Sequence, residues 1–287
     1  MAKINPKLID VSHMPDGMLD NPSEYDLMCA GAIKFPKEYY IPKNEWADRI
    51  EQVDLNQSAA LDFSARFTHQ GRSHECVHHA TTQGTECVYN RQLGTIDYAV
   101  YLSPLFGYSL ATNGRERGGS NVMDALYQSM EVGRIPEFDG PDGQNTQYDK
   151  FLHTMHQTSG RSEKHWPKSG WVKPRRFPRG YEQTAKHFKI LEAWAIPNAD
   201  AHMSALLHGF PIINGRKGHS ICHGRAVKDG RKFLSMYRDS YNRDLYDSLK
   251  LLGGGFCITS VSMPDDPNEP TGDDVQGKKK RKTIGSR

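Results

Sequence analysis

Gln70-Gly71-Arg72-Ser73-His74-Glu75-Cys76, continued by Val77-His78-His79-Ala80, is the stretch from which the rest of this chain is read. A Gln-Gly turn leads to a cysteine that opens a helix-like run ending near Arg91. A thiol at a helix N-terminus feels the positive end of the macrodipole, which favours the thiolate. Backbone N–H groups in that first turn can receive a developing oxyanion, and a glutamine amide nearby supplies a second donor. Within the run, Val77, Ala80, Gly84, Cys87 and Val88 recur at helical spacing, although Gly84 and the threonines weaken the pattern. Taken alone, a cysteine after a loop is most often a small apolar core residue. The rest of the chain decides between the two readings.

A chain of 287 residues can hold one large domain or two modest ones. Apolar residues make up 37% and the mean hydropathy is −0.70, so polar loops or tails are expected around a smaller core. A net charge of +3 makes no case for nucleic acid as a partner. The basic run Lys278-Lys279-Lys280-Arg281-Lys282 is local, and the aromatic and basic mix around Trp166, Trp171 and Lys173-Pro174-Arg175-Arg176 carries no recognition motif. The cysteines Cys29, Cys76, Cys87, Cys222 and Cys257 are odd in number, widely spaced and without a CxxC pair. They predict a reducing compartment and no disulfide framework. No secretory h-region and no run of membrane-spanning length is visible, so a cytoplasmic or virion-associated location is expected. Cys76, His78, His79 and Cys87 lack a recognised zinc spacing, and no metal or cofactor is expected.

Residues 1–52 hold repeated turn signals and read as an extended N-terminal arm that adds little to the core, with a short helix near Asn44–Ile50. Pro104 suits the first turn of a helix through about Ala111, and a further helix runs from Val122 to Glu131. Residues 138–185, rich in Gly, Pro, Lys and Arg, form the longest irregular region. From His187 the texture turns to strands: Phe188–Ile196, Gly209–Asn214, one beginning at Gly218, Lys232–Tyr237 behind an Asp229-Gly230 turn, and Gly255–Val261. A helix capped by Asn198 or Asp200 separates the first two. Residues 265–287 read as a disordered charged tail. Helices first and strands second predict an α+β domain over 53–264, made of two subdomains with a cleft between them.

This order of motifs resembles the papain-like cysteine peptidases. Gln70-Gly71 to Cys76 has that family's glutamine-to-nucleophile spacing, and Asp62-Phe63-Ser64 is similar to the Asp-Trp-Arg before it. Leu102-Ser103-Pro104 resembles the segment ahead of the second helix. Gly118-Gly119 resembles the loop that holds the substrate backbone, and Gly133-Arg134-Ile135-Pro136-Glu137 resembles the block beyond it. Ala205-Leu206-Leu207-His208-Gly209-Phe210-Pro211-Ile212 is similar to the family's Ala-Leu-x-x-Gly-Pro-Val. Gly218-His219-Ser220 stands where the catalytic histidine would be. Tyr237-Arg238-Asp239-Ser240-Tyr241-Asn242 resembles the Lys-Asn-Ser-Trp-Gly block. The resemblance spans about residues 60–262. Departures are Val77 for a tryptophan, Ser73 for a disulfide cysteine, His74-Glu75 for a small pair, Asp239 for asparagine and Tyr241 for the shielding tryptophan.

The resemblance implies peptide-bond hydrolysis through a Cys76–His219–Asp239 site. Gln70 and the Cys76 backbone N–H would form the oxyanion hole, and Gly118 and Gly119 would bind an extended peptide or protein substrate. The alternative is a non-catalytic papain-fold component of a bacteriophage or other virus particle, docking through its arm and tail onto neighbouring subunits. Fold alone does not decide between them.

Overall fold

The computed structural model describes residues 33–64, 70, 74–94, 100–113, 119–136, 181–216, 218–241, 243–252 and 254–263. Cys29, the start of the expected arm, most of the 138–185 region and the 265–287 tail lie outside the described residues, as do Gly71, Arg72, Ser73, Gly118 and Asn242. The helices are α1 (Trp46–Leu55), α2 (Cys76–Leu93), α3 (Pro104–Ala111), α4 (Val122–Glu131), α5 (Tyr181–Lys186) and α6 (Ala199–Leu207). The strands are β1 (Ile190–Ala195), β2 (Ile212–Arg216), β3 (His219–Asp229), β4 (Lys232–Asp239), β5 (Arg243–Ser248) and β6 (Phe256–Val261). The strands form one antiparallel sheet in the order β1-β6-β2-β3-β4-β5. The architecture is α+β, a helical part and an antiparallel β part, as the sequence predicts.

Helix α2 forms despite its poor propensity because almost all of it is buried, and tertiary packing outweighs intrinsic preference. The Thr81 and Thr85 hydroxyls donate back to the carbonyls of Val77 and Thr81, both at 2.8 Å, so their polarity is satisfied within the helix. Gly84 marks the closest approach to the sheet. A Cβ there would stand 2.7 Å from Ile213 Cδ1 and 3.0 Å from Ile258 Cδ1. Around it, Val77, Ala80, Val88 and Tyr89 join Ile213, Cys222 and Ile258 in one core. Gly94 ends the helix in the left-handed region, φ 71°, its N–H donating to Arg91 O.

The other caps follow the sequence. Ser103 Oγ accepts from Phe106 N at 3.2 Å with Pro104 in the first turn of α3. Asn121 Oδ1 accepts from Met123 N at 2.8 Å at the start of α4, and Asn198 Oδ1 accepts from Ala201 N at 2.9 Å at the start of α6. The β3–β4 hairpin turns at Gly230, φ 58°.

Three features differ from the sequence reading. Part of the expected arm, residues 33–52, is folded into the core. Phe35 N donates to Ala195 O at 3.0 Å and Ala195 N to Ile33 O at 2.9 Å, fastening the segment along the edge of β1. Phe35, Trp46 and Ile50 are buried in a second core with Trp194 and Ile212, and the Trp46 indole N–H donates to Ile41 O at 2.9 Å. Turn-forming prolines steer this chain along the surface, but its aromatic residues supply the packing. Strand β5 was not expected, because Arg243-Asp244-Leu245-Tyr246-Asp247-Ser248 is charged. It is an edge strand, where charge protects against pairing with other chains. Helix α5 occupies the end of the stretch expected to be irregular.

Candidate active site

The site is assembled at one end of the sheet. Cys76 is the first residue of α2 and is fully buried. His219 is the first residue of β3, paired with Arg216 across a tight connection that needs Gly218 at φ 72°. Asp239 is the last residue of β4, paired across its hairpin with Arg243, the first of β5. Gln70 N donates to Ser240 O at 2.7 Å, which fastens Gln70 onto that same hairpin. Helix start, strand start and hairpin end therefore bring Cys76, His219, Asp239 and Gln70 into one neighbourhood, and all four are buried.

The Ser220 backbone N–H lies near enough to the Cys76 thiol to favour its ionised form, so the residue beside His219 neighbours the candidate nucleophile. The tilted rings of His219 and Tyr241 stand 5.7 Å apart. Tyr241 thus packs where the resemblance places a shielding aromatic. Ser240 Oγ donates to Gln70 Oε1, which fixes the Nε2 end of the amide as its donor. Gly119, φ 58°, begins the described chain before Ser120, and Ser120 Oγ lies 3.1 Å from His78 Nε2.

Two features go against the sequence reading. The thiol was expected to be acidified by its helix N-terminus, but burial pushes Cys76 up to about 12. The backbone N–H groups of Ser220, Val77 and Cys76 pull the other way, and the Glu75 carboxylate adds to the upward push. Glu75 stands at the N-cap of α2, its Oε2 3.7 Å from His79 Nε2, where the resembling family has a small residue. The resemblance also has Asp239 accept from the far ring nitrogen of His219. Instead, Asp239 Oδ1 accepts from Tyr241 N at 2.9 Å, and Oδ2 accepts from Arg243 Nη2 at 2.7 Å and Nε at 3.2 Å. None of these bonds comes from His219. The carboxylate pairs with the guanidinium, a charge-assisted partner.

Sequence reasoning missed Ser220 and Arg243. Arg243 lies four residues beyond Asp239, which becomes informative only once a hairpin is placed between them. Cys76, Cys87, Cys222 and Cys257 are free thiols. Among the described residues, no group of three or more His, Cys, Asp or Glu side chains is placed to hold a metal ion, and no helix is long and apolar enough to cross a membrane.

Neither a protein-family model nor a curated protein matches this sequence. Solved structures do match. A digestive procathepsin L 3 of the Tenebrio molitor larval midgut aligns with a TM-score of 0.50 at 10% identity, over 91% of this chain and 84% of its own. A structure reported in work on the mite allergens Blo t 1 and Der p 1 aligns with a TM-score of 0.53 at 13% identity, over 90% and 86%. The proform of Amb a 11, a cysteine protease and ragweed pollen allergen, aligns with a TM-score of 0.52 at 13% identity, over 92% and 82%. These likenesses define the class of the fold. It is that of the papain-like cysteine peptidases, divided into a helical and a strand-rich subdomain.

Proposed function

We propose that this chain is a papain-like cysteine peptidase acting on peptide or protein substrates through Cys76, His219, Asp239 and Gln70. The observation that supports the reading is the influence of the Ser220 backbone N–H, next to His219 at the start of β3, on the Cys76 thiol at the start of α2. In the proposed reaction the Cys76 thiolate attacks the scissile carbonyl carbon, and the proton it gave up resides on His219. The oxyanion is received by the Cys76 N–H and Gln70 Nε2. His219 returns its proton to the leaving amine as the thioester forms. Water, deprotonated by His219, then releases the acid and restores the thiol. Gly119, with Gly118, would hold the extended backbone of the substrate.

Burial opposes the thiolate, and a positive His219 is the group that would offset it. The test is alkylation by iodoacetamide near pH 6, beside hydrolysis of a fluorogenic peptide. An active site alkylates Cys76 ahead of Cys29, Cys87, Cys222 and Cys257, and His219→Ala abolishes that advantage.

The second reading is a non-catalytic module of the same fold. The thiol pushed up to about 12 and an Asp239 carboxylate turned to Arg243 favour it. It prevails if Cys76 reacts no faster than the other cysteines and no peptide is cut. The neighbours reported above come from a beetle, mites and ragweed, and nothing in them points to a virus particle.

A further inference from the structure

We propose that Arg243 is an electrostatic positioning residue that offsets the charge of Asp239 at the corner where Tyr241 packs against His219, so that the imidazole titrates beside a neutral pair. This rests on the peptidase reading for its purpose, though not for its test. Asp239 and Arg243 close the β4–β5 hairpin as a directly opposed pair. Both Nη2 and Nε of Arg243 reach the same oxygen, Oδ2, at 2.7 and 3.2 Å. The carboxylate is 1% exposed and the guanidinium 42% exposed, so the cation stays hydrated while it neutralises a buried anion. The guanidinium carbon also stands 5.8 Å from the centre of the Tyr241 ring, whose other neighbour is His219. One arginine thus clamps both the carboxylate and the aromatic ring beside the imidazole.

Among the described residues, Glu75 and His79, paired at 3.7 Å, lie at the start of α2 beside Cys76. Cys76 contributes its thiol, and Tyr241 its phenol, which burial pushes up to about 12. An uncompensated carboxylate at this corner would hold His219 protonated to higher pH, and the Arg243 cation removes that bias.

The experiment follows the titration of the His219 imidazole by NMR, with its signal assigned by its loss in His219→Gln. Four proteins are compared: the full chain, Arg243→Gln, Asp239→Asn and the double variant. Arg243→Gln raises the His219 midpoint by about half to one pH unit, the effect of a partly screened unit charge. Asp239→Asn lowers it by a similar amount, and the double variant returns toward the parent value. Arg243→Lys, which keeps the charge and loses the fork, stays near the parent value. A merely structural arginine would not produce opposite shifts that cancel. Should Arg243→Gln fail to fold, Arg243→Met tests the same loss of charge with the apolar stem retained. An unmoved midpoint in the neutral variant overturns the proposal. Iodoacetamide reactivity of Cys76, measured on the same samples, reports separately on the peptidase reading.

Discussion

Two histidines four residues apart on β3 have opposite surroundings. His219 opens the strand beside Cys76, at an end where α2 begins and two hairpins turn. His223 lies inside the β subdomain, under α6. Its Nδ1 is 2.7 Å from Ser235 Oγ, its Nε2 is 3.8 Å from Asp247 Oδ2, and Ser235 Oγ is also 3.2 Å from His202 Nε2. By composition the second group is a serine, a histidine and an aspartate in sequence. It is enclosed on every side, with His202, His223 and Ser235 fully buried. No helix start supplies N–H groups toward Ser235, since that residue is paired mid-strand in β4. Residue types alone do not make a reactive site. Position at the ends of elements does, because only there are backbone donors unclaimed by the ladder.

Four experiments press on this contrast. The largest effect is expected at the first histidine: His219→Ala should lower peptide hydrolysis by about 100- to 10,000-fold with little change in melting temperature. An unaffected rate would remove His219 from the chemistry. Gln70→Ala should cost about 100- to 1,000-fold in hydrolysis while sparing alkylation of Cys76, which develops no oxyanion. Equal loss in both reactions would make Gln70 a packing residue.

The second histidine group should appear in stability instead. Ser235→Ala strips a hydroxyl from two buried imidazoles and should destabilise the fold by about 1–3 kcal/mol in denaturant titrations, with hydrolysis per folded molecule unchanged. A drop in turnover would reopen this cluster as a functional site. The smallest effect is in acid. Burial lowers His202 from 6.5 to about 3, so between those values the unfolded chain binds a proton that the folded chain does not. Its contribution is full above about pH 6.5 and is lost as pH falls toward about 3. His202→Gln should flatten that limb of the stability profile, and an unchanged slope would exclude His202 as its source.

The legible parts of the fold were those with local chemical markers. Ser103-Pro104, Asn121 and Asn198 cap helices because their side chains reach their own backbone within a few residues. Gly218 and Gly230 punctuate hairpins for the same local reason. Strand β5 was hidden because an edge strand carries charge in place of apolar alternation. The placement of residues 33–52 was hidden because it depends on Trp194 and Ala195, far away in sequence, receiving Phe35. At the site, the sequence named Cys76, His219, Asp239 and Gln70, and the fold gathers them. The burial that raises the thiol and the guanidinium that binds Asp239 are products of packing and register, which spacing does not reveal. Trp46 gives a measure of the missed segment: Trp46→Ala should cost about 3–5 kcal/mol, because its ring is fully buried.

The glycine at position 84 has a mechanical consequence. Because Gly84 lets α2 sit directly on the side chains of Ile213 and Ile258, the helix that carries the thiol and the sheet that carries the imidazole share one closely packed core. A side chain at position 84 would wedge the two apart, and with them the sulfur and the imidazole, as a shim shifts two fittings on a single frame.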